Sequence, residues 1–172
     1  MDGKPVSAET FAIKEDPRVP VTQADLDAQY DLMTKINQKL SATHAAILDI
    51  REMKSQLDAV RGRIRGDKAL ADMAGDITKK LTAVEETLVQ TKIHAGQDAL
   101  NFPIRLNNKL AALSSSVDSS DDAPTAQQLA VFAELTAQVD AQLAELARIK
   151  STELAEFNKQ YSAKGLPVIA GR

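Results

Sequence analysis

Cysteine and tryptophan are both absent from this sequence of 172 residues, and aromatic residues make up only 3% of it. Without cysteine the chain can form no disulfide and no thiolate metal site, and it has no cysteine nucleophile. Glycine and proline are also scarce, at 7 and 6 residues. The core must therefore be built from Leu, Ile, Val, Met and Ala, a set of side chains that favours helices over strands.

No charge of one sign dominates, because 21 basic residues are interspersed among 24 acidic ones and the formal net charge is -3. This balance provides no basic face for a phosphate backbone, so we expect no nucleic-acid partner. No apolar run approaches the roughly 20 residues that a bilayer-spanning helix needs, so we expect no membrane insertion. The first residues, Met1 to Lys4, lack the apolar core of a signal peptide. We therefore expect a soluble chain with no export signal of its own.

Residues with catalytic or metal-binding potential are few and scattered. The two histidines, His44 in the first predicted helix and His94 at the end of the second, lack the His-x-x-His or Glu-x-x-His spacing of helical metal sites. Glu85 and Glu86 are adjacent, so on a helix their carboxylates splay apart. The chain has no glycine-rich phosphate loop and no nucleophile elbow. We predict no catalytic residues, no metal and no organic cofactor.

Residues 1–21 read differently from the rest of the chain. Asp2-Gly3 is a hairpin-turn dipeptide, and Thr10 to Lys14 alternate polar with apolar side chains, which predicts a half-buried strand. Asp16 to Pro20 read as a stiff connector. We interpret the segment as the last strand of a preceding β-domain plus its linker. An unstructured or artificial tail is the alternative.

The remainder, residues 22–172, divides into four helical segments with heptad-like apolar stripes. The first, at about 22–65, has an N-cap at Thr22 with Asp25 completing a capping box, and the second, at about 67–93, has Asp67 as N-cap. The third is predicted at about 103–117, with Pro103 as its first residue. The fourth, at about 125–164, begins with the capping pair Thr125 and Gln128 and ends before Gly165.

The predicted lengths constrain the packing. At 1.5 Å per residue the first and last helices span about 65 Å and 60 Å, and the middle two span about 39 Å and 22 Å. Laid end to end, the two middle helices match one long helix. We therefore predict an all-α, elongated antiparallel bundle whose middle layer is broken at residues 94–102. The alternative is a compact up-down four-helix bundle.

The break carries the candidate functional residues. Pro103 pushes the residue before it out of helical geometry. We expect Phe102 and Ile104 to anchor the segment against the two long helices, while its polar side chains satisfy exposed backbone groups or meet a protein partner. The candidate structural and contact residues are Asn101, Phe102, Pro103, Arg105, Asn107 and Asn108.

Three stretches carry a resemblance to a known group of proteins: Asp2-Gly3-Lys4 with the following strand to Val19, the run from Asn101 to Leu113, and Ala123-Pro124-Thr125. Together they resemble the C-terminal end of large bacterial exported proteins with sortilin-like (VPS10-type) BNR/Asp-box β-propellers. In such proteins the propeller is followed by a small β-sandwich and a helical tail. The resemblance implies that residues 1–21 are a remnant of the sandwich and that Met1 is not the natural beginning of the parent.

The resemblance assigns no catalytic residue to the helical tail. Any glycosidase-like activity of the parent would belong to the propeller, and the Asp-box motif Ser-x-Asp-x-Gly-x-x-Trp cannot occur in a chain without tryptophan. We therefore expect a non-catalytic helical interaction or spacer domain of a secreted, periplasmic or extracellular parent. Its partner would be protein, through docking to other domains of the parent. The alternative function is a self-associating coiled-coil oligomerisation module.

Overall fold

The computed structural model describes residues 8–14, 16–64, 66–165 and 167–171. Within these ranges all regular secondary structure is helical, which confirms the all-α prediction. The α-helices are α1 (Gln23–Arg61), α2 (Lys68–Leu88), α3 (Leu106–Val117), α4 (Ala126–Ile149) and α5 (Ala155–Ser162). A short 3₁₀-helix, Asp98–Leu100, lies between α2 and α3, and a π-helix, Lys150–Leu154, joins α4 to α5.

Three helices begin at the predicted N-caps. The Thr22 backbone N–H donates to the Asp25 carboxylate at 2.9 Å, and the Asp25 N–H donates back to the Thr22 hydroxyl, which closes a capping box. Thr125 and Gln128 form the same arrangement at the start of α4. The Asp67 carboxylate accepts the N–H of Leu70 at 3.1 Å. Each such cap stabilises its helix by about 1 kcal/mol.

The helix ends differ from the prediction by several residues. α1 ends at Arg61 instead of near 65, because Gly62 lowers helix propensity there and a turn follows. α2 ends at Leu88 instead of 93, because Val89 adopts an extended backbone and the next residues are rich in β-branched side chains. α3 begins at Leu106 instead of Pro103, with Arg105 at the N-cap position.

In chain order the helices form three layers, which are α1, then α2 with α3 in the middle layer, then α4 with α5, and each layer packs against the other two around one core. Near the start of α1, Gln29 donates to the carbonyl of Val117 at the end of α3, at 2.9 Å. Further along α1, Arg51 pairs with Glu85 of α2. α2 and α3 therefore run antiparallel to α1 along successive parts of its length, and contacts between α2 and α3 are few. The broken-middle-layer arrangement is the one observed, and not the compact four-helix bundle.

The third layer, α4 through α5, runs parallel to α1. Lys39 pairs with Asp140 at 2.5 Å and Lys150 pairs with Asp49 at 2.7 Å, and both pairs join residues 101 positions apart. A constant offset means that the two long helices keep one register. α1 alone, with 39 residues, spans about 58 Å.

The fourth predicted helix runs without a gap from Ala126 to Ser162, as predicted, but it contains one π-helical turn, Lys150–Leu154, that the sequence did not indicate. Its buried side chains follow helical spacing up to Ile149 and resume at Leu154, five positions later. A regular α-helix would place the next inward side chain three or four positions on. The π-helix Lys150–Leu154 absorbs the extra residue, so Leu154, Phe157 and Tyr161 all remain in the core.

The predicted strand at Thr10 to Lys14 is not formed. Residues 8–14 are described without helix or strand, and Phe11 and Ile13 are 82% and 89% exposed. A single strand with no neighbouring edge has no partner for its backbone hydrogen bonds. The predicted Asp2-Gly3 turn lies outside the described residues, and the origin of the segment in a preceding β-domain stays a prediction.

Candidate contact surface at the break in the middle layer

The connection from α2 to α3 is organised by Asp98. Its carboxylate accepts the backbone N–H groups of His94 and Ala95, both at 2.8 Å, and these hydrogen bonds lower the pKa of the carboxyl. Its carbonyl accepts the N–H groups of Asn101 at 3.0 Å and Phe102 at 2.9 Å. One aspartate therefore folds residues 94–102 into a defined turn.

Two contacts fasten the next residues to the end of α2. The Gln90 amide donates to the carbonyl of Pro103 at 2.9 Å. The Lys92 ammonium lies 5.7 Å from the centre of the Phe102 ring, within the range of a cation–π interaction. A depression of about 190 Å³ opens beside these groups, lined by Glu86, Gln90, Thr91, Lys92, Phe102, Pro103 and Arg105.

The two predicted anchors behave differently from expectation. Phe102 is only half-buried, and Ile104 is 42% exposed, so Ile104 does not anchor the segment. The reason is that α3 begins two residues after Ile104, so Ile104 is not on the face of α3 that packs into the core. Leu106 and Leu110 are the side chains that carry α3 into the core, at 4% and 0% exposure.

The polar candidates divide into two groups. The Asn107 side chain accepts the N–H of Asn108 at 2.7 Å and so satisfies one of the free donors of the first turn of α3, as expected of an asparagine there. Asn101, Arg105 and Asn108 are exposed. Within the described ranges, the Arg105 guanidinium forms no ion pair. The structure thus brings together Phe102, Pro103 and Arg105 at the depression.

A second, more apolar groove runs between α3 and α4. It has a volume of about 480 Å³ and is lined on its apolar side by Ile104, Leu113, Val131 and Leu135. Ile104 and Val131 are 42% and 43% exposed, whereas Leu113 and Leu135 are buried at its base. The groove is therefore a furrow in the surface that water reaches.

The groups considered for catalysis and metal binding are dispersed. His44 and His94 are both exposed, and the part of the chain that the structure describes holds no group of three or more His, Asp or Glu side chains placed to bind a metal ion. Glu85 is 4% exposed and pairs with Arg51 at 2.6 Å and Lys54 at 2.9 Å. Burial raises the pKa of Glu85, but the hydrogen bonds from these two cations outweigh it, so the pKa lies below its usual value.

A feature that the sequence did not reveal is the segment 167–171, which we call the strap. Gly165, with φ of 75°, adopts the left-handed conformation that suits glycine and reverses the chain after α5. Ile169 then enters the core with 3% exposure. The main chain of the strap is held by the side chains of Gln56 and Asn158. The one sequence feature that indicates the strap is Ile169, an aliphatic residue that follows the helix-ending Gly165 and belongs to no helical stripe.

No family model matches the chain, and no curated protein and no solved structure matches it. Among the helices in the described ranges, none combines the length and the apolar composition that crossing a bilayer requires. The surfaces and contacts of the bundle itself are therefore what indicate its function.

Proposed function

We propose that this chain is a non-catalytic helical spacer and interaction domain. It would hold a protein contact surface, formed by Phe102, Pro103 and Arg105, at a fixed position along a stiff rod. The observation that carries the proposal is the constant register of the two long layers, which continue past the break in the middle layer. Because α1 and the third layer both continue past the break, the loop at the break is exposed but the bundle gains no hinge there.

Ion pairs between layers support the spacer role. In addition to the two pairs that set the register of α1 against the third layer, Lys80 of α2 pairs with Glu153 of the π-helix, and Lys164 pairs with Asp67 at 2.6 Å. Exposed pairs of this kind contribute little to stability, with a median of about 0–1 kcal/mol. Their distribution along the bundle opposes sliding of one layer against another, which is what a spacer of fixed length needs.

The composition of the break supports the interaction role. Aromatic residues and arginine are enriched at the energetic centres of protein interfaces. Arg105 has its charge in solvent beside the half-buried Phe102, and the backbone around them is already ordered by Asp98 and Gln90. Pre-ordering lowers the entropy that binding must overcome. We propose another domain of the parent protein as the partner.

The resemblance to the helical tails of sortilin-like β-propeller proteins supports a place at the C-terminus of a larger exported protein. We propose that origin for the chain, with the propeller and the β-sandwich preceding it. In that setting any glycoside chemistry belongs to the propeller. The helical domain would set the position of the propeller relative to whatever the domain contacts.

Sedimentation velocity combined with small-angle scattering of the full chain tests the spacer role. We expect a monomer with a maximum dimension of about 60 Å or more, since α1 alone spans about 58 Å. A monomer with the dimensions of a compact globule would contradict the proposal. As a matched test of the contact surface, Arg105→Ala should leave the melting temperature unchanged, because the side chain makes no ion pair within the described ranges.

The second candidate function, self-association, is favoured by one observation, which is the furrow between α3 and α4. Its exposed Ile104 and Val131 would be covered by the same furrow of a second copy. Concentration-dependent dimers that Val131→Glu abolishes would favour this function over the spacer. The variant should keep its helix content, because Val131 lies outside the core.

A further inference from the structure

The strap lies as an extended chain between α1 and α5, and two side-chain amides form hydrogen bonds with its backbone. Asn158 of α5 donates to the Ile169 carbonyl at 2.6 Å and accepts the Ile169 N–H at 2.8 Å. Gln56 of α1 donates to the Ala170 carbonyl at 2.9 Å and accepts the Ala170 N–H at 3.1 Å. Each amide thus makes the pair of hydrogen bonds, one to the N–H and one to the C=O of a residue, that a neighbouring β-strand would make.

This pattern matches how an extended chain presents its hydrogen-bonding groups. Successive residues of such a chain point their N–H and C=O groups to opposite sides. Ile169 turns these groups towards α5, and Ala170 turns them towards α1. The groove therefore binds the main chain from both sides, as sheet edges do when they capture an extended peptide.

Side-chain selectivity enters at two positions. Ile169 is 3% exposed, so the groove encloses an aliphatic side chain there, whereas the neighbouring Val168 is 59% exposed and is not selected. At Gly171, an added Cβ would lie 2.8 Å from Cγ of Asp49 and closer still to its Oδ1. Asp49 is 7% exposed and is held by Lys150 at 2.7 Å, so its carboxylate cannot easily yield. We therefore expect the groove to favour glycine at that position, because a larger residue would have to displace the Asp49 carboxylate.

The strap is attached by few contacts. Of its five residues, Ile169 alone is buried, and the hydrogen bonds to Gln56 are exposed to solvent. Segments with few buried contacts open locally more readily than the packed helices around them. The groove can thus become vacant while the bundle stays folded.

We propose that the groove between α1 and α5 is a binding site for extended peptide segments with an Ile-x-Gly core, and that the strap is its built-in competitor. The partner is a segment of another protein with an aliphatic residue, a small residue and a glycine in succession. The strap occupies the site in its absence. The site shares no residue with the contact surface at the break, so it extends the proposed function to a second, sequence-selective contact.

The experiment uses the full chain with the strap disabled by Ile169→Asp and Gly171→Ala, which leave Gln56, Asn158 and Asp49 in place. The probe is a fluorescently labelled, end-capped peptide Pro-Val-Ile-Ala-Gly, and binding is followed by anisotropy. We expect saturable binding to the strap-disabled chain. Binding to the natural chain should be at least about tenfold weaker, because the tethered strap competes at high effective concentration.

Two matched controls define the specificity. The peptide Pro-Val-Ile-Ala-Ala should bind the strap-disabled chain at least about tenfold more weakly, because the Cβ of its last alanine would clash with the Asp49 carboxylate. Adding Asn158→Ala to the strap-disabled chain should weaken binding of the first peptide to a similar degree, since two hydrogen bonds are lost. Circular dichroism establishes that each variant keeps the helix content of the natural chain. If the double variant loses helix content, Gly171→Ala alone replaces it in the same measurements.

Three results would overturn the proposal. The first is no binding of either peptide to a strap-disabled chain of normal helix content. The second is equal binding to the natural and strap-disabled chains, which would mean that the peptide binds elsewhere. The third is equal binding of the glycine and alanine peptides, which would remove the role of Gly171. None of these results bears on the shape or oligomeric state of the bundle, so failure here is distinguishable from failure of the spacer proposal.

Discussion

Replacing Glu85 with glutamine removes the charge that joins α1 to α2. The carboxylate is 4% exposed and accepts from Arg51 at 2.6 Å and from Lys54 at 2.9 Å. Glutamine keeps the shape but offers one acceptor oxygen, and its NH₂ group would face the other cation. One charge-assisted hydrogen bond is therefore lost and the other is weakened.

The expected cost follows from the exposure of the partners. A hydrogen bond to a charged group contributes about 1.5–3 kcal/mol. The side chains of Arg51 and Lys54 are 54% and 27% exposed, so both can turn to water and neither charge is left buried. Part of the loss is also offset because no carboxylate has to be desolvated. We expect Glu85→Gln to lower the free energy of unfolding by about 2 kcal/mol at pH 7.

The pH dependence of stability distinguishes the contribution of the Glu85 charge from that of its packing. The pKa of Glu85 is lowered in the folded state from an ordinary value of 4.5. A carboxyl with a lowered folded pKa stabilises the fold above its unfolded pKa, and this contribution is lost as pH falls through the folded pKa. The natural chain should therefore lose stability below about pH 4.5, and the variant should lose less. The difference between the two should disappear in strong acid.

Urea unfolding followed by circular dichroism, repeated from pH 7 to pH 3, measures both effects. Glu86→Gln is the matched control, because Glu86 is adjacent and exposed, and it should change stability by less than about 0.5 kcal/mol. If Glu85→Gln matches this control at pH 7, the ion triad does not stabilise the bundle. If the deficit stays constant down to pH 3, it comes from packing and not from charge.

Further substitutions test the anchoring, the π-helix and the N-terminal segment. Leu106→Ala should lower the free energy of unfolding by about 2–5 kcal/mol and Ile104→Ala by less than about 1 kcal/mol in the same urea assay, and the reverse order would restore Ile104 as the anchor. Hydrogen bonding, first of all from Lys80, lowers the pKa of Glu153 to about 2. Its contribution to stability is therefore present above the ordinary value of 4.5 and lost as pH falls towards about 2, so Glu153→Gln should flatten the acid limb of a pH–stability profile in that window, and an unchanged limb would contradict the ion pair. Removing residues 1–20 should shift the melting temperature by little, since residues 8–14 are exposed, and a loss of several degrees would show that they pack on the helices.

The features that the sequence predicted correctly are those encoded over three to seven positions. The capping box of Thr22 with Asp25 involves neighbours on one turn, and the heptad stripes identify which side of each helix is buried. Helix ends were predicted less well, because the end of α2 depends on how several weak propensities around Val89 sum. The start of α3 depends on where the chain re-enters the core, which Leu106 determines and Pro103 does not.

The contacts that define the strap could not be predicted, because they join positions far apart. Gln56 meets Ala170 across 114 positions, and neither residue has a local pattern that identifies the other. The ion pairs of Glu85 depend likewise on the angle at which α2 faces α1. Such contacts follow from the register of the layers, and no local sequence pattern specifies that register.

The π-helix connects the register of the layers to the strap. On α1, Asp49 and Gln56 are seven positions apart, so they lie on the same side of the helix two turns apart. Their counterparts in the third layer, Lys150 and Asn158, are eight positions apart, which in a regular α-helix would separate them by about 80° around the axis. The wider turn of the π-helix absorbs the eighth position and brings both side chains back to the side that faces α1. Lys150 can then hold Asp49 against Gly171 while Asn158 binds Ile169, so the extra residue in this layer is what allows one groove to select both the aliphatic side chain and the glycine.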